Sequence, residues 1–139
     1  AELRVLESVR KRLHHQPADL PRVKRDEVLA ARESVETGIH LAPALRECLV
    51  DLAGAVRSDV RVAQGISTRA LVQAVPALQA RAFLRGRDFV STEDLQRLAP
   101  RLFAHRLALA PGSSDAEAVI VDCSREPLEK AARQSLERG

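Results

Sequence analysis

Apolar residues recur at helical spacing along most of the chain, and charged or turn-forming residues separate the segments. Residues 2–14 place four aliphatic side chains on one helical face: Leu3, Leu6, Val9 and Leu13. This spacing predicts an amphipathic helix. A connector with two prolines, residues 17–25, leads to a second predicted helix that begins at Asp26 and ends near Glu36.

A third helix is predicted over residues 43–57. Pro43 suits the first turn of a helix because its missing amide would have no intrahelical acceptor there, and leucines and valine follow along one face. The residues before it, 39–41, alternate as a very short extended segment, and residues 58–65 are predicted as a loop.

A long fourth helix is predicted from Thr68 to Arg85. Ser67 is a good N-cap for it, and Gly86 stands just beyond its C-terminus, where a left-handed conformation is common. Pro76 falls inside this segment. Since proline removes one backbone hydrogen bond, the helix is predicted to bend or divide there.

A fifth helical segment begins at a capping box formed by Ser91 and Asp94. Pro100 is predicted to divide it into two short helices, and a Pro-Gly turn at residues 111–112 ends it.

The tail carries another capping-box pattern, Ser114 with Glu117, and predicts one short helix from Asp115 and a second from Pro127. A strand at residues 119–121 is the alternative, because three β-branched residues stand together there.

The predicted fold class is therefore all-α, a small helical bundle that allows one very short two-stranded pairing. A chain of 139 residues with 45% hydrophobic and 29% charged residues is typical of one globular domain and excludes a disordered chain. Only 2% of residues are aromatic, all of them Phe, which excludes a stacking platform for bases.

Charge and cysteine spacing exclude several further classes. The net charge is only +3 and the chain has no long basic run, so a nucleic-acid partner is not expected. Cys48 and Cys123 stand far apart in no metal-ligand spacing, which favours two reduced thiols in a cytoplasmic chain and no metal site. No apolar run is long enough for a membrane span, and no leader is recognised.

The chain also lacks the parts of a self-sufficient active site. No lysine follows a glycine-rich phosphate-binding loop, and His105 has no accompanying nucleophile motif. Arg69 is the notable residue, because it falls in the first turn of the long helix, where the positive end of the helix dipole disfavours a cation by roughly 0.3–1 kcal/mol. A phosphate bound at this spot would turn that repulsion into attraction. An ordinary surface arginine after a Gly-Ser turn is the alternative.

Three motifs follow one another from this point: Gly65-Ile66-Ser67-Thr68-Arg69-Ala70, Gly86-Arg87-Asp88-Phe89-Val90-Ser91-Thr92-Glu93-Asp94 and His105-Arg106-Leu107. In this order they resemble the C-terminal helical lid of MoxR-type AAA+ ATPases. The resemblance covers residues 22–109. It implies that residues 1–21 are a junction helix and connector from a nucleotide-binding core outside this chain, and that residues 110–139 are a helical C-terminal extension.

The resemblance also implies a function. Arg69 would be the sensor 2 arginine, a catalytic residue acting on ATP bound by the separate core, and Gly65 and Ser67 would join Arg69 in the nucleotide contact. Mg would be held through the core, and the chain alone would neither catalyse hydrolysis nor bind a cofactor tightly. The implied partners are the chain's own AAA+ core, neighbouring subunits of a hexameric ring and a von Willebrand A-domain protein, in a cytoplasmic, chaperone-like remodelling or maturation factor.

Two points stay open at this level. The segment from Arg87 to Leu95 is also similar to the loop and last helix of histone-fold proteins, so a small basic helical DNA-binding module is the alternative function, and an adaptor using an apolar helix face is a third. Arg87 and Asp88 are expected either to form a structural ion pair or to touch a neighbouring subunit.

Overall fold

The computed structural model describes residues 21–137, and most of them are helical. The described helices are α1 (Arg25–Gly38), α2 (Pro43–Ser58), α3 (Thr68–Leu84), α4 (Thr92–Phe103) and α5 (Ala116–Glu137). A single 3-10 turn, Ala104–Arg106, follows α4. The all-α prediction is confirmed, whereas the predicted helix over residues 2–14 lies outside the described residues.

The described residues divide between two compact units, with residues 21–31 in the first and residues 32–137 in the second. In the described part of the first unit, the Lys24 backbone amide donates to the Glu27 carboxylate (2.8 Å) as α1 begins. Helices α2 to α5 all belong to the second unit, where α5 packs along both α2 and α4.

The core of the second unit is made of aliphatic side chains and one aromatic ring. Its largest fully buried members are Phe103, Leu52, Ile66, Leu78, Leu95, Ile120, Val56 and Val119. Burying each such side chain contributes about 1.5–3 kcal/mol. Every fourth residue of α3 from Ala70 to Ala82 faces this core. Three of these residues are alanines, Ala70, Ala74 and Ala82, and the other is Leu78.

One very short two-stranded pairing is present, but part of it lies in a predicted loop. Strand β1 (Val62–Gln64), inside the segment predicted as a loop over residues 58–65, pairs antiparallel with β2 (Ala108–Leu109). The Ala110 amide donates to the Arg61 carbonyl (2.8 Å), so the partner that makes this segment extended is more than 40 residues away. The predicted extended segment 39–41 forms an isolated bridge from His40 to Phe89.

The predicted starts of α3 and α4 and the predicted stop of α3 are confirmed, whereas α4 ends at Phe103, before the predicted stop at residues 111–112. The Ser67 side chain caps α3 by accepting the Ala70 amide (3.2 Å), and Ser91 with Asp94 forms the capping box of α4. Gly86 has φ +69° just after the C-cap of α3, a conformation that glycine adopts without steric cost.

The division predicted at Pro100 is wrong, and so is division as one of the two alternatives at Pro76; the bend at Pro76 stays a prediction. Helix α3 continues through Pro76, and α4 continues through Pro100. Each proline deprives the carbonyl four residues earlier of its amide partner. Those residues, Val72 and Gln96, are exposed, so water can bond the carbonyl that is left.

The tail prediction is also corrected. Residues 116–137 form one helix through Pro127, and the alternative strand at residues 119–121 is helical. Asp115, not Ser114, caps it by accepting the Ala118 amide (2.9 Å). Ile120 and Ala131 lie on either side of the proline in the same core, and one continuous helix keeps both of them buried.

A buried carboxylate joins α3, α4 and the loop between them. Asp94 is only 1% exposed and accepts hydrogen bonds from Arg81 Nε (3.0 Å), from both terminal nitrogens of Arg87 (2.8 Å each) and from the Ser91 amide and hydroxyl (2.9 and 3.0 Å). Arg87 also donates to the Phe89 carbonyl (2.9 Å). Of the two alternatives for Arg87 and Asp88, an ion pair between them is wrong, because Asp94 offers two buried oxygens that match the Arg87 guanidinium fork. Contact with a neighbouring subunit stays a prediction.

Burial alone would raise the pKa of Asp94, but the hydrogen bonds from Arg87 and Ser91 outweigh it and lower the pKa to about 2. The folded state thus binds this proton less readily than the unfolded chain, whose aspartates titrate near about 3.9. The stability that the charge contributes is present above pH of about 4 and is lost as the pH falls towards 2.

We expect Asp94→Asn to lower the free energy of unfolding at pH 7 by about 2–3 kcal/mol, since two partly buried guanidinium groups lose their counter-charge. The deficit should shrink as the pH falls from 4 towards 2, because Asp94 of the unmodified chain then becomes neutral too. Urea unfolding followed by circular dichroism at pH 7, 4 and 2.5 measures it.

Glu93→Gln is the matched control, because Glu93 forms only an exposed ion pair with Arg97 (2.8 Å) and should change stability by less than about 1 kcal/mol. A deficit for Asp94→Asn that stays constant over the whole pH range would contradict the charge argument.

Candidate functional site

At the start of α3, one buried residue stands on each side of three exposed ones. Ile66 and Ala70 are buried in the core, whereas Ser67 and Arg69 are exposed. The two buried side chains anchor the turn on either side of the exposed ones. The polar groups of the motif are thereby held at the surface by the core beneath them.

Gly65 lies directly against the last turn of α2. A Cβ atom at this position would come within 2.8 Å of Arg57 Cγ and 3.2 Å of Arg57 Cα. The second contact is with backbone and cannot move aside. Glycine is therefore required here by the packing of the loop on α2, a reason the sequence could not reveal.

Ser67 is occupied as the N-cap of α3. Its hydroxyl and its carbonyl both accept the Ala70 amide, at 3.2 and 3.0 Å. The amides of Thr68 and Arg69 lie in the first turn of α3, where no carbonyl of the helix is available to accept from them. They have no other hydrogen bond among the described residues. Two donors are therefore open at the positive end of the helix dipole.

Arg69 is exposed, and its side chain makes no hydrogen bond or ion pair with any residue between 21 and 137. The group is thus free to meet an anion. Arg101 on α4 is equally exposed and unpaired within the same residues, so freedom alone does not single out Arg69. Its place in the first turn of α3 does, because the free amides of that turn and the positive end of the helix dipole also attract negative charge.

The loop that leads into α3 is fastened by an ion-pair cluster that the sequence analysis missed. Arg61 donates to both Asp59 oxygens (3.0 and 2.8 Å) and to Asp122 Oδ2 on α5 (3.0 Å). Hydrogen bonds from Arg61 hold the pKa of the Asp59 carboxyl well below its usual range. The Asp-x-Arg spacing is compatible with an Asx turn, but the partner on α5 is visible only in the fold.

The two cysteines and the carboxylates among residues 21–137 form no second site for nucleophilic chemistry or metal binding. Burial raises the pKa of the Cys48 thiol to about 11, and burial and a hydrogen bond to Asp59 raise the pKa of Cys123. Both free thiols are therefore protonated and weakly nucleophilic at neutral pH. Across residues 21–137, no three His, Cys, Asp or Glu side chains are grouped closely enough to hold a metal ion.

No helix in the described part of the chain is both long and apolar enough to cross a membrane. At the start of α3, the guanidinium of Arg69 and the amides of Thr68 and Arg69 are groups that bind phosphate oxygens well.

Comparison with known proteins agrees with this fold. The family of AAA lid domains matches residues 54–123, half of the chain, from the end of α2 into α5. The chain is 31% identical to the protein MoxR of Paracoccus denitrificans over 55% of its own length, and 28% identical to the uncharacterized protein YeaC of Bacillus subtilis over 81%. It spans only 26% and 37% of those two proteins.

A solved structure shows the same fold. A candidate ATPase from Cytophaga hutchinsonii superposes with a TM-score of 0.63 over 95% of this chain and 41% of that one, at 23% sequence identity. With the match over residues 54–123 and the similarity to MoxR, the chain belongs to the AAA lid domain family, as a lid of the MoxR type.

Proposed function

We propose that this chain is the nucleotide-sensing lid of a MoxR-type AAA+ ATPase and that Arg69 is its sensor 2 arginine. In this proposal Arg69 reaches the phosphates of ATP held by a separate nucleotide-binding core. The observation that carries it is the exposed guanidinium in the first turn of α3, which has no partner among residues 21–137, together with the amides of Thr68 and Arg69, which have none there either.

The physical role suits arginine. Its guanidinium is charged at all working pH values and presents a planar fork to phosphate oxygens, so it can stabilise the charge that develops during γ-phosphoryl transfer. Binding also removes the repulsion of roughly 0.3–1 kcal/mol between Arg69 and the helix dipole. The Mg ion and the attacking water belong to the core in this scheme.

Gly65 and Ser67 complete the proposed nucleotide contact in different ways. The absence of a side chain at Gly65 lets the loop lie on α2, and the Ser67 cap sets where α3 begins. Both fix the direction in which Arg69 leaves the helix. Their support for nucleotide binding is therefore mainly positional.

The lid would convert nucleotide occupancy into a change of angle between itself and the core, a hinge closure of the kind that ligands drive by binding one state better. In a hexameric ring this change would pass to neighbouring subunits and power chaperone-like remodelling of client proteins in the cytoplasm, with a von Willebrand A-domain protein as partner. Residues 1–21 would be the junction, 22–109 the lid and 110–139 a helical extension.

We expect Arg69→Ala in the intact parent protein to lower ATP turnover at least tenfold, about 1.4 kcal/mol of transition-state stabilisation, while the lid stays folded. The side chain is exposed and has no partner in the described residues, so its loss leaves the packing unchanged. Steady-state hydrolysis assays and thermal unfolding of the variant measure the two effects.

Arg101→Ala is the matched control, because that arginine is also exposed and its side chain is also unpaired among residues 21–137, but it lies on α4 and in none of the three motifs. Turnover that is unchanged in Arg69→Ala, or reduced to the same extent in both variants, would reject the assignment of Arg69.

Gly65→Ala should lower the free energy of unfolding by about 1–2 kcal/mol and reduce ATP turnover, because the new methyl group forces the loop away from the Arg57 backbone. Gly54→Ala is its control. A Cβ at Gly54, inside α2, meets nothing within 4 Å, so that variant should gain about 0.5–1 kcal/mol and keep its turnover.

A further inference from the structure

Arg57 lies in the last turn of α2, outside all three sequence motifs, yet it contacts the loop that opens α3. Its Nε donates to the Ile66 carbonyl (3.0 Å). Its Cα and Cγ form the surface against which Gly65 lies, at the distances that leave no space for a Cβ. One residue thus holds two consecutive positions of the loop.

These two contacts act on the peptide unit immediately before the helix cap. The Ile66 side chain is 1% exposed, so the core holds one side of this residue while Arg57 holds its carbonyl. A hydrogen bond donated by a charged guanidinium is stronger than one between neutral groups. With the Ile66 side chain and carbonyl both held, the backbone of Ser67 has little freedom, and α3 begins at a defined place and angle.

We propose that Arg57 is a positioning residue for Arg69: it fixes the start of α3 so that the Arg69 guanidinium is presented to phosphate in one orientation. This inference rests on the proposed role of Arg69. Arg57 itself donates to protein backbone and acts only through the loop.

The expected loss of rate follows from how strongly the activity of a catalytic group depends on its position. Functional groups work when held within about 0.5 Å of their productive position, and a shift of about 1 Å can cost roughly a hundredfold in rate. Loss of the bond to Ile66 loosens the loop without removing the core anchor, so a smaller loss, about fivefold to tenfold in kcat, is expected.

The experiment is a double-mutant cycle in the intact parent protein with Arg57→Met, Arg69→Ala and the double variant. Methionine keeps an unbranched apolar stem against Gly65 and removes the donor. Arg57→Met should lower kcat about fivefold to tenfold, and Arg57→Lys, which keeps a charged donor, should restore part of it. In the Arg69→Ala background, Arg57→Met should cause no further loss, because its only route to the reaction is then absent.

Hydrogen exchange gives a readout that does not depend on ATP hydrolysis. In Arg57→Met the amides of Ala70 and Leu71, which bond to Ser67, should exchange faster than in the unmodified protein. Arg46→Met is the matched control. Arg46 is an exposed arginine on the same helix, and its side chain has no hydrogen-bond or ion-pair partner among the described residues. Its replacement should change neither the exchange rates nor kcat.

The outcomes separate the two proposals. Unchanged turnover in Arg69→Ala would reject the role of Arg69 and, with it, the role of Arg57. Reduced turnover in Arg69→Ala, combined with kcat losses that multiply in the double variant, would reject Arg57 alone, since it would then act independently of Arg69. Unchanged exchange at Ala70 and Leu71 in Arg57→Met would also reject it.

Discussion

The arrangement of α3, α4 and their connecting loop depends on the hydrogen bonds and ion pairs that the charged Asp94 carboxylate accepts. A carboxylate that is almost fully buried costs free energy unless donors surround it, and here Arg81 of α3, Arg87 of the loop and Ser91 of the α4 cap all donate to it. Each donor belongs to a different piece of backbone. The carboxylate is therefore satisfied only when all three pieces are in place, which couples the two helices to one another.

The opposite end of α3 is held by different means. There a glycine lies against the α2 backbone, a buried isoleucine anchors the loop, and a guanidinium holds its carbonyl. The β1–β2 pairing and the cluster around Arg61 fasten the preceding residues. The side chain of Arg69, which is exposed and has no partner in the described chain, thus extends from a backbone that several contacts hold in place.

Several features of the fold could be predicted because they depend on residues close together in sequence. The N-cap of Ser67, the capping box of Ser91 and Asp94, and the left-handed Gly86 each involve groups within a few positions of one another. The predictions failed where residues that are distant in sequence determine the local structure. Pro127 was expected to start a new helix, but Ile120 and Ala131 pack in one core and keep α5 continuous.

The sequence by itself determined the helical class, the start of α3 and the position of Arg69 in its first turn, because periodicity and capping are local properties of the chain. Only the tertiary structure decided that Arg87 pairs with Asp94 instead of Asp88, that Gly65 must lack a side chain, and that Arg57 reaches the Ile66 carbonyl. Those contacts depend on which surfaces the packed helices bring together, and burial of the apolar faces, rather than sequence spacing, sets that arrangement.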